Sequence, residues 1–518
     1  MRFENAAKNA GTTILTRIIE QVLAFIARTV FIYFLSVEYL GITSLFSEVL
    51  NVLNMAELGI GTAINVALYA PLATGDKEKV KSLMRLYKKA YFYIGLVVLG
   101  LGIVLIPFLP YLTKGSTDLV NIRIVFVIYL AKSVLSYWLL AYKRSLLEAD
   151  QKSYMVSLIT YSVICIWKVF QILLLFLLKD TPELSFYVYC AGDALCSVIT
   201  NLIISRIVDK QYSYIEEKNV ESISKEEKTA LLKNVYGVGL YKISSTVNSS
   251  ADSIIISSFI GTLTLGLFSN YLLIAKAIIT IINMAFTSIT ATIGNLNALE
   301  TVEKKRFVFN TLHLAALWIN GFCIICLWVL LNPFISGIWL GAEYELSELV
   351  VFTMCMNYLV DGIMEAPIRF RNACGLYWQS RYRAVATVVV NVILSILAVT
   401  VFDLGIPGVL LATIVSRLTI TLIIDTKIVH KYVLECSPKG YFAKYFLSLG
   451  LVIATGGMLK SICFLLPESG LLFFVARMLL CIIFPNVVWW LIFRKTPEFN
   501  YIVKAGKNMV RRTISRGK

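Results

Sequence analysis

The chain contains fourteen runs of about 20 or more mostly apolar residues, and this pattern constrains its fold more than any other feature. The 518 residues are 58% hydrophobic, and their mean hydropathy is +0.76. Soluble domains average roughly 45–50% apolar residues, and a helix needs about 20 of them to cross the hydrocarbon core. Because lipid offers the backbone no hydrogen-bond partners, runs of this length form helices. The sequence therefore predicts an all-α, polytopic membrane protein.

One long polar stretch divides the predicted spans into two pseudo-symmetric six-helix lobes, and two further spans follow. We expect an N-terminal lobe over 1–207, a cytoplasmic linker over 208–235, a C-terminal lobe over 236–434, spans 13 and 14 over 435–493, and a basic tail over 494–518. The fourteen runs lie at residues 11–35, 40–70, 87–112, 118–141, 153–178, 183–207, 236–260, 262–290, 308–340, 347–369, 382–402, 406–430, 441–466 and 470–493.

A faint internal repeat relates the two lobes. The turn YLG at Gly41 matches TLG at Gly266, and LLEADQKSY at Gln151 matches GLYWQSRY at Gln379, with offsets of 225 and 228 residues. A basic stretch after span 2 (ATGDKEKV) also matches one after span 8 (ALETVEKKR). Two lobes related by duplication are typical of transporters that bind their substrate between the lobes.

The charge distribution predicts the orientation of the chain. The formal net charge is +16, and 36 of the 48 Lys and Arg lie in the loops on one side of the predicted spans. Positive loops stay in the cytoplasm, so we expect both termini there. This one-sided pattern argues against nucleic acid as the partner. The tail after residue 493 is expected to lie on anionic lipid headgroups.

Cysteine and histidine positions show no metal-binding pattern. The ten cysteines occur singly, mostly inside spans, and are interpreted as small packing residues. His313 and His430 lie far apart in sequence, without the spacing of metal ligands. No glycine loop suited to a nucleotide phosphate is present. We expect no cofactor and no metal site.

Several charged residues lie inside the apolar runs. In the first span, Arg17, Glu20 and Arg28 fall on one helical stripe. A charge at the centre of a spanning helix costs about 2.5–3.5 kcal/mol, so these side chains should face a polar interior. Arginine binds phosphate through two parallel hydrogen bonds, and the stripe fits an anionic headgroup that crosses the membrane. The structural alternative is that Arg17 reaches the cytoplasm while Glu20 pairs with an arginine.

Five more cations lie within spans and extend this hypothesis. For each of them the alternative is a buried ion pair with a carboxylate from another helix. Reaching the interface explains Lys242 well, but Lys168 and Lys276 are too deep for it. We predict a cationic cavity for an anionic substrate, lined by Arg17, Arg28, Lys132, Lys168, Lys242, Lys276 and Arg417.

Carboxylates inside the spans support a second hypothesis. Asp361 and Glu365 follow one another at helical spacing in span 10, and Asp252 lies in span 7. Buried carboxylates can bind Na⁺ or carry a proton, which would couple transport to an ion gradient. The alternative is that they only neutralise the neighbouring Lys and Arg.

Three segments carry a resemblance to a known family. They are EYLGITSLFSEVLNVLNMAELGIGTAINVALYAPLATGD, ATIGNLNALE and RNACGLYWQSRYRAVATVVVNVILSILAV. The chain resembles the Wzx-type polysaccharide flippases, a branch of the multidrug/oligosaccharidyl-lipid/polysaccharide exporter superfamily. The resemblance extends over nearly the whole chain and includes the layout of fourteen spans. Arg17 and Arg28 match the cationic first span expected of the family; Lys168, Lys242 and Lys276 match only in kind.

The resemblance implies a transporter in the bacterial plasma membrane. Its substrate would be an undecaprenyl-diphosphate-linked oligosaccharide, flipped from the inner to the outer leaflet by alternating access for capsule or exopolysaccharide biosynthesis. It implies the polymerase and glycosyltransferases of the same pathway as partners, besides membrane lipids. A diphosphate is a fixed anion, and the polyprenyl tail can remain in lipid.

Three alternatives stay open. A lipid II flippase would share the cationic interior and the span count. A cation-coupled multidrug exporter of the same superfamily should prefer an acidic cavity, which the deep Lys and Arg argue against. A membrane-bound glycan polymerase would need a large outer loop for its catalytic groups, and loops such as KDTPEL and LPESG are short. We therefore expect a transporter and not an enzyme.

Overall fold

The computed structural model describes residues 2–57, 59–114, 119–139, 141–217, 246–248, 250–467 and 470–516. These residues are overwhelmingly helical and contain no β-strand. Within this part of the chain, nine helices are long and apolar enough to cross a membrane, or ten if one bent helix pair is counted as a span. The chain is thus an all-α polytopic membrane protein, as predicted.

Each predicted span overlaps helical structure, although the count of fourteen stays a prediction. The first lies in a charged helix, the fourth in a helix of only 17 residues, and the second in two helices separated by a short 3₁₀ turn, Asn54–Glu57. Only residues 246–248 and 250–260 of the seventh are described. The predicted spans that are not among the nine helices are therefore charged, short, broken or only partly described.

The chain divides into two compact units, Met1–Ser269 and Asn270–Lys518. The lobe boundaries proposed from the sequence stay a prediction. The helices of the first unit are α1 Arg2–Phe34, α2 Val37–Leu53, α3 Ile60–Thr74, α4 Lys77–Leu105, α5 Leu109–Leu112, α6 Ile122–Trp138, α7 Arg144–Ala149, α8 Ser153–Leu177, α9 Pro182–Gln211, α10 Ser250–Ile260 and the start of α11 Thr262–Ser288.

Local sequence signals explain where several of these helices begin. The Asp76 carboxylate accepts a hydrogen bond from the backbone N–H of Lys79 at the start of α4. The Asn121 side chain accepts one from the N–H of Arg123 at the start of α6. Such caps satisfy N–H groups that the helix itself leaves without a partner. Pro182 occupies the first position of α9, where its missing N–H costs nothing.

Two glycines that the repeat matches, Gly41 on α2 and Gly266 on α11, touch each other inside the first unit. A Cβ atom added at Gly41 would overlap the carbonyl oxygen of Thr262 and lie 3.3 Å from the backbone nitrogen of Gly266. A Cβ added at Gly266 would overlap the carbonyl oxygen of Val37. Small residues at such a crossing let two backbones approach within contact distance.

The second unit is organised around α13, a long helix whose apolar stretch is more than half buried. It packs against α14, α19 and α20. The helices after α11 are α12 Thr290–Leu299, α13 Val302–Phe334, α14 Glu348–Ile363, α15 Glu365–Ala373, α16 Arg381–Thr400, α17 Gly405–Ser416, α18 Leu422–Val429, α19 Lys439–Phe464, α20 Leu471–Phe493 and α21 Pro497–Arg516.

Two of the predicted spans in the second unit are irregular. The tenth bends by 42° between α14 and α15, with the break at Met364. The twelfth contains a π-helical turn, Arg417–Thr421, between α17 and α18. π turns insert an extra residue into a helix and often occur at functional sites.

A buried ionic cluster stabilises the end of the second unit where α15, α16 and α18 meet. Arg371 Nη1 donates to both carboxylate oxygens of Asp425 at 2.9 Å, and Arg383 Nη1 lies 3.2 Å from the same carboxylate. Arg371 and Asp425 are each only 1% exposed. Removing one partner of a buried pair leaves an uncompensated charge, which costs about 3–5 kcal/mol. The carboxylate of Asp425 thus neutralises arginines from helices far apart in sequence.

A candidate cationic site in the first unit

The site begins on α1, which packs along α8, while α8 packs on α9. Arg28 projects from α1, half-buried, and its Nη1 donates to Ser269 Oγ at 3.0 Å. Tyr189 on α9 lies near both Arg28 and Lys168. Two of the cations predicted from the sequence, Arg28 and Lys168, therefore lie in the neighbourhood of one phenol ring.

Lys168 is held by a polar network that crosses from α8 to α9. Its Nζ donates to Gln171 Oε1 at 2.9 Å and lies 5.7 Å from the centre of the Tyr189 ring. Gln171 Nε2 in turn donates to Asp193 Oδ1 at 2.8 Å, and Trp167 Nε1 donates to the same oxygen at 2.7 Å. One carboxylate thus balances part of the positive charge through a bridging amide, without a direct salt bridge to Lys168.

Gly192 positions Trp167 in this network. A Cβ atom at Gly192 would overlap the ring of Trp167, so the indole lies directly on the α9 backbone. Phe31 packs edge-on against Tyr189, with 5.0 Å between ring centres. The cations therefore lie among aromatic rings, in surroundings where electrostatic attraction to an anion is stronger than in water.

Lys132, the third predicted cation whose side chain the structure describes in this unit, lines a polar cavity of about 560 Å³. It lies near Cys190 and Cys196, on the α9 segment that also carries Asp193. Lys132 forms no ion pair with another described residue. The cavity walls also contain Glu57, Asn51, Asn54, Tyr87, Tyr91, Tyr129, Tyr137 and Arg144.

A chain of hydrogen bonds orders one wall of this cavity. Tyr91 donates to Glu57 Oε1 at 2.8 Å, Tyr87 donates to Tyr91 at 2.9 Å, and the Tyr87 and Ser145 hydroxyls are 3.0 Å apart. Gly61 makes room for these groups, because a Cβ there would be 2.5 Å from Glu57 Oε1. Carboxylate, amide and phenol groups suit a ligand rich in hydroxyls. Aromatic faces offer its apolar side a contact surface.

The other two described cations lie in the second unit. Lys276 is exposed on α11. Arg417 stands at the start of the π turn, half-buried, and its Nη1 donates to the backbone oxygen of Asn357 at 2.8 Å and to Asn357 Oδ1 at 2.6 Å. Both acceptors are uncharged, so these two hydrogen bonds do not neutralise the charge of Arg417.

The three carboxylates proposed for ion coupling differ in their surroundings. Glu365 is 5% exposed, and its Oε2 accepts from Arg369 Nε at 2.5 Å. Asp361 is exposed and forms no ion pair with another described residue. Asp252 is half-buried on α10. The bend at Met364 separates Asp361 from Glu365, so the continuous stripe expected from their spacing is interrupted.

Two predicted residues cannot be placed in this site. Lys242 and the side chain of Arg17 lie outside the described part of the structure. Glu20, from the same sequence stripe, is half-buried and accepts from Gln21 Nε2 at 3.3 Å. It forms no ion pair with any side chain that the structure describes.

Sequence reasoning missed the partners of the cations. Tyr189 and Ser269 come from helices distant in sequence, and no local pattern indicates them. Asp193 lies inside the sixth predicted span, but its connection to Lys168 depends on how α8 and α9 pack. The available signal was Trp167, Lys168 and Gln171 within one helical turn. Among the described residues, no cluster of His, Cys, Asp and Glu could hold a metal ion.

Solved structures with the same fold are membrane transporters. A structure of the lipid II flippase MurJ in an inward closed conformation has a TM-score of 0.65 at 15% identity, over 93% of this chain and 98% of that one. An inward-facing multidrug resistance MATE family transporter scores 0.54 at 14% identity, over 86% and 99%. A transporter of the MOP superfamily from Pyrococcus furiosus scores 0.55 at 14% identity, over 84% and 97%. The chain therefore shares the fold of these solved transporter structures.

The sequence identifies the family. The profile of the polysaccharide biosynthesis protein family matches residues 6–291, more than half of the chain. The chain belongs to this family, which confirms the resemblance drawn from its motifs. None of the curated protein sequences matches the chain.

Proposed function

We propose that this protein flips undecaprenyl-diphosphate-linked oligosaccharide repeat units from the inner to the outer leaflet of the bacterial plasma membrane. Both termini would lie in the cytoplasm. Alternating access would expose the substrate to each side in turn, for capsule or exopolysaccharide biosynthesis. The pathway's glycosyltransferases would supply the lipid-linked unit, and a polymerase would consume it.

The observation that carries the proposal is the meeting of Arg28 and Lys168 at Tyr189. Both cations sit on helices of the first unit, and Lys168 is linked to Asp193 only through the Gln171 amide. A diphosphate keeps its negative charge at neutral pH and would be gripped by such groups. The nearby cavity with Lys132 offers hydroxyl-binding groups of the kind that sugars need.

Reconstituted transport tests the proposal. The full chain is placed in proteoliposomes with a fluorescent polyprenyl-diphosphate disaccharide, and dithionite quenching reports the leaflet of the fluorophore. We expect the accessible fraction to rise with time only in vesicles that contain the protein. Equal rates in protein-free vesicles would contradict the proposal.

Fluorescent lipid II and ethidium, measured in the same vesicles, separate the alternatives. The lipid II flippase alternative is favoured by the shared fold. Preference for lipid II over the other diphosphate-linked sugar would support that function instead. Transport of ethidium alone would indicate a multidrug exporter. The cationic surroundings of Arg28 and Lys168 favour the anionic substrates over ethidium.

Ion coupling is proposed for Asp361, with Asp252 as a second candidate. Asp361 is exposed and forms no ion pair with another described residue, so its carboxylate can take up Na⁺ or a proton, whereas Glu365 is committed to Arg369. We expect Asp361→Asn to abolish the acceleration of transport by an imposed Na⁺ or pH gradient. Glu365→Gln should instead lower thermal stability, because it leaves Arg369 unpaired. Transport by the unmodified chain that ignores both gradients would rule out coupling.

A further inference from the structure

A second cationic pocket lies on the first unit, between α4 and the end of α6. Its volume is about 940 Å³. One wall carries Arg85, Lys88 and Lys89, which are exposed and form no ion pair or hydrogen bond with any described residue. The hypothesis of a cationic substrate cavity does not include these three residues.

The acids of this pocket are already neutralised. Asp209 pairs with Lys143, and Glu217 Oε2 accepts from Lys81 Nζ at 2.8 Å. The three cations on α4 therefore remain uncompensated by the acids that line the pocket. An anion that reaches the pocket from outside would meet net positive charge.

An aromatic wall adjoins the cations. Trp138 stacks on Phe92, with 6.0 Å between ring centres, and its Nε1 donates to the Phe92 backbone oxygen at 3.3 Å. Gly95 allows this contact, because a Cβ there would overlap the indole. Both rings remain partly exposed, Phe92 by 52% and Trp138 by 37%. Tryptophan in such amphipathic surroundings is typical of the membrane–water interface.

The exposed face of α4 then becomes purely apolar. Lys88, Lys89, Phe92, Leu96 and Ile103 fall on one side of the helix at 3.6-residue periodicity. Leu96 and Ile103 are 41% and 54% exposed, as expected of side chains that contact lipid chains. Along about 20 Å of helix the order is cation, aromatic ring, aliphatic stripe. A phospholipid has the same order of phosphate, interfacial region and acyl chains.

We propose that this pocket binds an anionic phospholipid of the leaflet at the start of α4, which the loop charges predict to be cytoplasmic. Arg85, Lys88 and Lys89 hold the phosphate, Phe92 and Trp138 flank the glycerol region, and the aliphatic stripe of α4 receives an acyl chain. Basic pockets between membrane helices on the cytoplasmic side are typical binding places for acidic lipids. This site is distinct from the cluster around Arg28.

The experiment compares lipid binding to the purified full chain and to variants. Phosphatidylglycerol and phosphatidylcholine are added separately in neutral detergent, and native mass spectrometry measures the bound lipid while thermal unfolding measures stabilisation. We expect preference for phosphatidylglycerol in the unmodified chain. One basic side chain near an anionic surface contributes about five-fold in affinity. The triple variant Arg85→Gln/Lys88→Gln/Lys89→Gln should therefore bind phosphatidylglycerol at least about ten-fold more weakly and lose the preference.

A second triple variant controls for overall charge. Lys304→Gln/Lys431→Gln/Lys439→Gln removes the same charge from exposed positions of the second unit and should keep the preference. Loss of preference in both variants, or in neither, would overturn the proposal. If the first triple variant does not fold, Lys88→Gln alone should weaken phosphatidylglycerol binding about five-fold, and unchanged binding would contradict the site. Farnesyl diphosphate is tested as a competitor for the same pocket. Competition as strong as that of phosphatidylglycerol itself would assign the pocket to diphosphate substrates and would also overturn the proposal.

Discussion

Arg28→Ala should reduce flipping of a diphosphate-linked sugar by about 10- to 100-fold. A hydrogen bond to a charged group contributes about 1.5–3 kcal/mol, and every 1.4 kcal/mol changes an equilibrium tenfold. The guanidinium donates to Ser269 and lies near Tyr189 and Lys168, and alanine removes its positive charge from this neighbourhood. The measurement is the rate of leaflet exchange in proteoliposomes, normalised to the amount of protein inserted.

Two variants show whether charge is the property that matters. Arg28→Lys keeps the charge but not the two-pronged geometry, so it should retain part of the activity. Ser269→Ala removes the hydroxyl that Arg28 contacts but keeps the charge of Arg28, so it should reduce the rate less than Arg28→Ala does. Flipping at the unmodified rate by Arg28→Ala would exclude this cation from substrate binding.

Gly41→Ala should strongly destabilise the folded chain. The added methyl group would overlap the carbonyl oxygen of Thr262, and a backbone atom cannot move aside as a flexible side chain can. Overpacking costs about 1–3 kcal/mol where side chains adjust, so we expect at least about 3 kcal/mol here. Gly266→Ala, which meets the carbonyl oxygen of Val37, should have a similar effect. The thermal unfolding midpoint of the detergent-solubilised protein measures both.

Gly100→Ala is the matched control for this contact. Gly100 also lies inside a helix, but a Cβ atom there has no neighbour within 4 Å. Alanine is favoured over glycine in a helix by about 0.5–1 kcal/mol, so Gly100→Ala should be neutral or slightly stabilising. Similar midpoints for Gly41→Ala and Gly100→Ala would show that the helices do not approach each other so closely. The double variant Gly41→Ala/Gly266→Ala should destabilise the chain by less than the sum of the two single effects, because both substitutions disturb the same helix contact.

Much of the fold is predictable because spanning a bilayer requires a stretch of apolar residues whose length can be read directly from the sequence. Each predicted span overlaps helical structure in the described residues. The breaks are harder to predict. Gly59, at φ 76°, follows the turn that interrupts the second predicted span, and nothing local indicates the bend at Met364 or the π turn at Arg417. These irregularities depend on packing between helices.

The sequence predicts the chemistry of the candidate site but not which residues form it. Cations inside apolar runs indicate a polar interior, because lipid-facing charge is too costly. Which cations share that interior depends on partners from other helices. Arg28 and Lys168 are 140 residues apart in sequence, and the Gln171–Asp193 bridge that partly balances Lys168 exists only because α8 packs on α9. Glu365 and Arg369 show the opposite case, in which helical spacing alone produces the pair.

The sequence by itself determined the membrane class, the positions of most spans, the one-sided charge and the family motifs, since these properties depend on composition and short-range order. Only the tertiary structure decided which distant groups meet. It places His313 and His430, which show no relation in sequence, against the same ring of Tyr441, and it encloses Arg371 with Asp425 in a buried pair. The physical reason is that side-chain contacts depend on helix rotation and crossing, which many sequences with the same hydropathy pattern would set differently.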